Sequence, residues 1–240
     1  MTFAWAAATD PGRVRSHNED ALWPRPEGAE VARGEEAGPF LTAVADGMGG
    51  HVGGEVASAV AIEAAIAAGG EVVERVRAAN LAVVDTARRR PRLAGMGTTL
   101  TLALFSGEAL EIAHIGDSRA YLLREGALEQ LTRDHSLVAE MVASGELRPE
   151  EAPVHPFRSV ITRALGMESS VAVDRVQRAL LPGDRVLLCS DGLTTMLEDG
   201  QVAALLAGRA GPEAAAALIE AANQAGGFDN ISVVVVDVAS

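Results

Sequence analysis

The sequence predicts an α+β fold in which strands and helices stack as the layers of a sandwich. Strand-like runs come in groups and do not alternate strictly with helices, which argues against a doubly wound sheet. Two runs, Arg185–Cys189 and Ile231–Val238, are almost continuously apolar, the mark of strands covered on both faces. Helical periodicities come in pairs, 55–68 with 71–90, and roughly 200–208 with 212–225.

Taken in order, Phe3–Thr9 reads as a strand entering the polar turn Asp10-Pro11-Gly12, followed by Arg15-Ser16-His17-Asn18-Glu19-Asp20 and Trp23. Residues 24–39, carrying Pro, Gly and Glu, read as a surface loop. Phe40–Ala45 is a strand ending at Asp46. Glu55–Ala68 is Ala-rich and helical. In 71–90, Val72, Val76, Ala79, Val83 and Ala87 recur at helical spacing among Arg and Glu. A meander of Thr98–Phe105, Leu110–Ile115 and Ala120–Leu123 follows, with turns at Ser106-Gly107 and Gly116-Asp117-Ser118. Ser136–Ala143 is a short helix, and the acidic, Pro-containing stretch 145–155 reads as a mobile surface segment. Gly226-Gly227 closes the helix at 212–225.

At 240 residues with no linker-like tract, one domain is the expectation. A formal charge of −13 excludes a nucleic-acid partner, which would need basic patches. All 20 cationic residues are arginines, which removes lysine-dependent P-loop and Schiff-base chemistry. Cys189 is the lone cysteine, so neither a disulfide framework nor a thiolate metal site is available. The N-terminal run lacks a secretory signal, and no apolar stretch approaches the ~20 residues of a membrane span. A cytoplasmic protein is expected.

Three segments carry the chemistry: Val44-Ala45-Asp46-Gly47-Met48-Gly49-Gly50, Leu188-Cys189-Ser190-Asp191-Gly192 and Phe228-Asp229-Asn230. Each places an aspartate where an apolar strand stops or starts. Strand ends meeting at one edge would gather these carboxylates, with no lysine or histidine expected nearby. Such a cluster suits a hard divalent cation, which takes oxygen ligands. The chain reads as a metal enzyme acting on an oxyanion such as phosphate, with Gly47 supplying the turn that exposes Asp46 and its backbone oxygen.

Together with Arg15-x-x-Asn18-Glu19-Asp20, Asp46-Gly47-Met48-Gly49-Gly50-His51, Gly97-Thr98-Thr99, Gly116-Asp117-Ser118-Arg119, Ser190-Asp191-Gly192 and Asp229-Asn230, the chain resembles the metal-dependent type 2C serine/threonine protein phosphatases, in particular their compact bacterial members. The motifs run in the family's order over nearly the whole chain. The resemblance implies a four-layer α-β-β-α sandwich, two central mainly antiparallel sheets flanked by helix pairs, with metals at one end. It implies one catalytic domain over 1–240 with a flap at about 144–165. It implies two ions, Mn²⁺ or Mg²⁺: Asp46 bridges them, the Gly47 carbonyl completes one, and Asp191 and Asp229 hold the other. Glu19, Asp20 and Asn230 stand behind the ligands, Arg15 clamps the phosphate, and Asp117 holds a weak third ion. Phosphorylated proteins are the implied substrates, with a serine/threonine kinase as the opposing partner, and the protein is expected to be a monomer.

Met48 stands where eukaryotic members carry a histidine, which leaves His51, His17, His135 and His155 as candidates for the general acid. Other readings compete. Any single Asp-Gly is a common turn, Arg15 could simply pair with Asp20, and Asp117 could cap a hairpin. Gly97-Thr98-Thr99 reads as a packing element and His114 as a core histidine. Thr195 stands where a thiol phosphatase using Cys189 would need an arginine, so Cys189 reads as a buried strand residue. The alternative function is a catalytically inactive phosphatase-like binding or regulatory module.

Overall fold

The structure, a computed structural model, describes residues 1–25, 31–49 and 53–240. These form two six-stranded antiparallel sheets. The first contains β1 (Thr2–Asp10), β3 (Ala32–Glu36), β8 (Arg119–Arg124), β9 (Ala127–Gln130), β11 (Arg185–Cys189) and β12 (Ile231–Ala239), in the order β3-β1-β12-β11-β8-β9. The second contains β2 (Asp20–Trp23), β4 (Phe40–Met48), β6 (Leu100–Ser106), β7 (Ala109–Ile115) and β10 (Asp174–Ala179), in the order β10-β7-β6-β4-β2. The two-residue β5 (Gly97–Thr98) pairs with the end of β4.

Side-chain alternation explains the layers. In β12, Val234, Val236 and Val238 meet Phe3, Phe105 and Leu122 between the sheets. Ile231, Val233 and Val235 face the other way, onto α4 (Asp191–Thr194), α5 (Asp199–Leu206) and α6 (Gly211–Gln224). Both faces are buried, so the strand is apolar at all but Ser232 and Asp237 although its sheet is antiparallel. The second sheet is covered by α1 (Gly53–Ala67) and α2 (Val72–Arg89). Ala57, Ala61 and Ala65 line the inner stripe of α1, and Val72, Val76, Ala79 and Val83 that of α2. The result is the expected α-β-β-α sandwich.

The structure departs from the sequence reading in several places. Residues 32–36, expected as loop, form edge strand β3, held by pairing with β1 because Ala-Arg-Gly-Glu-Glu has no apolar alternation of its own. Its exposed charges suit an edge. β4 does not end at Asp46 but continues to Met48. The expected meander is broken: β6 and β7 form a hairpin, but β8 pairs with β11 and β9 in the other sheet. Gly116-Asp117-Ser118 is therefore a crossover between sheets, not a hairpin turn. β2, β9, β10 and α4 went unforeseen. The stretch 145–155 contains a short 3₁₀ helix, Pro149–Val154, with no buried residue, and follows α3 (Leu137–Ser144).

Candidate active site

The two sheets end together where the chain leaves β11, enters β12 and crosses from β7 to β8. A cavity of about 630 Å³ opens there, lined by Arg15, His17, Glu19, Asp46, Gly47, Met48, Asp117, Asp191, Asp229 and Asn230 among others. Four strand ends and loops, remote in sequence, thus bring one aspartate each to one wall.

Asp46 is held by its backbone from both sides. Its N–H donates to Thr99 Oγ1 at 2.8 Å, and its carbonyl accepts from Thr98 Oγ1 at 2.8 Å and from the Thr99 N–H at 2.9 Å. Gly97-Thr98-Thr99 is therefore more than packing: it fixes the backbone that carries the central carboxylate. Gly47 works differently from the turn expected of it. It lies in β4, and a Cβ there would stand 2.1 Å from the Gly54 carbonyl oxygen. The glycine is required by close backbone approach. Gly192 follows the same logic, since a Cβ would stand 2.0 Å from the Asn230 oxygen.

Asp20 lies behind Asp46, opposite it in the β2–β4 ladder, and does not line the cavity. Its Oδ2 accepts from Ser190 Oγ at 2.7 Å, which ties the two sheets together. Asn230 is a fully used connector: Oδ1 accepts the Glu19 N–H at 2.8 Å, while Nδ2 donates to the Pro11 and His17 carbonyls at 3.0 and 2.8 Å. Arg15 pairs with Asp229, not with Asp20; Nη2 to Oδ2 is 2.8 Å, at the cavity mouth.

Electrostatically the wall is unstable as it stands. Burial, then the charges of Asp20, Asp191 and Asp117, push Asp46 well above the usual carboxylate range. Burial followed by repulsion from Asp191 takes Asp117 up to about 8, and burial takes Asp20 up to about 7. Asp191 is raised by burial and by Asp229. Buried Oδ1 atoms of Asp20, Asp117 and Asp191 have no hydrogen-bond partner among the described residues. Such a set of oxygens must either bind protons or bind cations, and its hardness suits a divalent ion. Among the described residues no three carboxylates, imidazoles or thiolates close around one point. An ion here would complete its shell with backbone oxygen and water, as Mg²⁺ and Mn²⁺ readily do.

The histidines separate clearly. His17 lines the cavity and bonds Ser16 through Nδ1, contrary to the expectation of a histidine-free cluster. His135 is buried behind the wall, and His155 lies half-buried beside Phe157. His51 and Gly50 fall outside the described residues. His114 is a core histidine as expected, bonded to Thr101 and facing the Arg133 carbonyl, with burial lowering it to about 4. Cys189 is wholly buried in β11, where burial pushes its thiol up to about 12. Ser159 and Ile161 bring the segment after the 3₁₀ helix to the cavity rim. No helix among the described residues is long and apolar enough to cross a membrane.

Comparison with known proteins agrees with this geometry. The chain is 44% identical over 249 residues to the serine/threonine protein phosphatase PstP of Mycobacterium tuberculosis (strain H37Rv), covering 99% of this chain and 45% of that protein. It thus spans about half the length of that relative. It is 39% identical over 243 residues to the serine/threonine phosphatase stp of Listeria monocytogenes (strain EGD-e), covering 95% of this chain and 93% of that one. The crystal structure of M. tuberculosis PstP/Ppp superposes with a TM-score of 0.88 at 42% identity, covering 100% of both chains. The PstP catalytic domain in complex with two manganese ions gives 0.85 at 41%, again covering 100% of both. The profile of the protein phosphatase 2C family matches residues 14–221, most of the chain, and this chain belongs to that family.

Proposed function

We propose that this chain hydrolyses phosphoserine and phosphothreonine in proteins with the help of bound Mn²⁺ or Mg²⁺. The observation that carries the reading is the group of buried aspartates Asp20, Asp46, Asp117 and Asp191: burial and their mutual repulsion raise their proton affinities, and all but Asp46 carry an Oδ1 with no hydrogen-bond partner among the described residues. Asp46 would bridge two ions, the Gly47 carbonyl would serve one, and Asp191 and Asp229 the other; Asp117 would hold a weaker third. Zn²⁺ is disfavoured by a donor set without thiolate or clustered imidazole. When bound, such ions lower the pKa of water to near neutrality and offset the charge of the phosphate.

The chain's own residues supply the remainder. Asp46 is immobilised by Thr98 and Thr99, so its carboxylate is aimed before substrate arrives. Asp20, braced by Ser190, adds negative charge directly behind it. Arg15 uses only Nη2 on Asp229, which leaves its other N–H donors to clamp the non-bridging phosphate oxygens. Glu19 stands at the cavity edge, its own N–H tethered by Asn230, where its carboxylate can orient water. His17 is the histidine among the described residues that lines the cavity, and so the one placed to give a proton to the leaving seryl or threonyl oxygen.

The same reading makes 1–240 one catalytic domain and 144–165 a flap that screens substrates. It places the protein in the cytoplasm, as a monomer opposing a serine/threonine kinase. The test is turnover of p-nitrophenyl phosphate and of a phosphothreonine peptide by metal-stripped protein. Activity should appear with added Mn²⁺ or Mg²⁺ and disappear with EDTA; turnover indifferent to both would overturn the reading.

A further inference from the structure

His135 is 2% exposed and does not line the cavity, so it touches no substrate. Its carbonyl accepts the Thr162 N–H at 2.8 Å and its ring lies 4.9 Å from that of His114, while two further contacts go to the crossover that carries Asp117. The imidazole Nδ1 accepts the Gly116 N–H at 3.0 Å. The His135 N–H donates to the Gly116 carbonyl at 2.7 Å. One residue therefore holds both backbone groups of the residue immediately before Asp117. Accepting through Nδ1 puts the proton of the neutral ring on Nε2, which stands 3.2 Å from Asp174 Oδ2, outside hydrogen-bond geometry.

Neighbouring residues grip the same crossover from its far side. Asp134 takes the Arg119 guanidinium in a fork, at 2.9 Å to Nε and 2.7 Å to Nη2. Thr132 Oγ1 accepts the Ala120 N–H at 3.0 Å. Asp117 itself has a buried Oδ1 with no partner among the described residues. Its aim into the cavity is thus set by the backbone on either side of it, and on the near side that backbone is held by His135.

We infer that His135 is a positioning residue: by fixing Gly116 it fixes the direction of Asp117, and so sets how tightly the weakest cation position binds. This rests on reading Asp117 as a cation ligand. Groups that orient ligands in this way typically change metal affinity by about 10- to 100-fold when lost.

The experiment is a Mn²⁺ binding isotherm on metal-stripped protein, with amide hydrogen exchange at Gly116 measured before any metal is added. Asp117→Ala should abolish the weakest class of Mn²⁺ binding and spare the tighter ions. His135→Leu should weaken that same class roughly tenfold and speed exchange at the Gly116 amide. His135→Asn carries an acceptor where Nδ1 sits, and should stay close to wild type in both readouts. His135→Gln places its polar group nearer Nε2 and should behave like His135→Leu, so the Asn–Gln pair decides the matter if the leucine variant does not fold.

If Asp117→Ala leaves the isotherm unchanged, the cation role of Asp117 falls and the inference falls with it. If Asp117→Ala loses the weak class but His135→Leu and His135→Gln retain it, only the role of His135 is overturned. Equal weakening by Asn, Gln and Leu would also overturn it, because the acceptor at Nδ1 would then be immaterial.

Discussion

Asp20 and Asp46 sit directly opposite one another on adjacent antiparallel strands, at one register position of the β2–β4 ladder. Side chains at such positions project to the same face with their Cβ atoms about 5 Å apart, and like charges there are destabilising. Strand pairing thus forces together two carboxylates whose mutual repulsion the Asp20–Ser190 hydrogen bond does not remove. That is the pattern of a site where stability is given up for function.

The first prediction concerns Asp46. Asp46→Asn keeps the shape of the side chain and removes the cost, set by burial and by Asp20, Asp191 and Asp117, of protonating that carboxyl or burying its charge on folding. In EDTA its melting temperature should exceed that of the parent, while turnover with Mn²⁺ should fall at least ~10³-fold, matching a loss of about 4 kcal/mol of transition-state stabilisation. A variant that is less stable in EDTA, or one that retains turnover, would contradict the bridging role.

Much of this was readable in the chain because certain signals are local. The run Val233–Val236 of β12 announces burial on two faces, since successive positions stay apolar whichever way they point. Asp46, Asp191 and Asp229 stand out because each sits at the edge of an apolar run beside Gly or Asn. Other features depend on partners far away. Thr99 supports Asp46 across a separation of 53 residues, and Ser190 supports Asp20 across 170, so neither hydroxyl can be singled out from its neighbours. Gly116-Asp117-Ser118 looks locally like a hairpin turn. Only the pairing of β8 with β11 makes it a crossover, and that choice belongs to the packing of the two sheets. β3 was missed because its pairing with β1, not its composition, makes it a strand.

The second prediction is the dependence of stability on pH. Without cations Asp20 titrates near about 7 and Asp117 near about 8, whereas the same groups in the unfolded chain titrate near about 3.9. The folded protein therefore holds protons that the unfolded chain has already released. Stability from that source is complete below the unfolded value and is lost as pH rises through the folded values. Between about pH 4 and about pH 8 in EDTA the melting temperature should fall. Saturating Mn²⁺ should remove most of the fall, because the cation replaces the protons. A melting temperature that is flat or rising across this window in EDTA would show that the carboxylates remain ionised without a counter-charge.

The third prediction tests the support of the central carboxylate. Thr99→Val preserves volume but strips the Asp46 N–H of its acceptor, and Thr99 is fully buried. Leaving that donor unpaired should cost about 1–3 kcal/mol of stability, measured by chemical denaturation in EDTA. Mn²⁺-dependent turnover should drop roughly tenfold, the usual scale for losing a group that orients a ligand. Thr99→Ser keeps the oxygen and should recover most of both losses. If serine and valine behave alike, the methyl group and its packing matter more than the hydrogen bond.

The last prediction separates binding from folding at the cavity mouth. The Arg15 side chain is 55% exposed and that of its partner Asp229 38%, so this ion pair is screened by solvent and contributes little to stability. Arg15→Lys should therefore leave the melting temperature within a degree or two, consistent with less than about 1 kcal/mol. Its effect on turnover should be larger. Lysine brings a point charge in place of a planar fork and cannot meet two phosphate oxygens in one plane. kcat/KM for p-nitrophenyl phosphate should fall roughly tenfold or more, the equivalent of losing one charge-assisted hydrogen bond of about 1.5–3 kcal/mol. Inorganic phosphate should become a correspondingly weaker competitive inhibitor. Unchanged inhibition by phosphate would mean that Arg15 serves Asp229 alone, and that the phosphate is gripped by some other part of the wall.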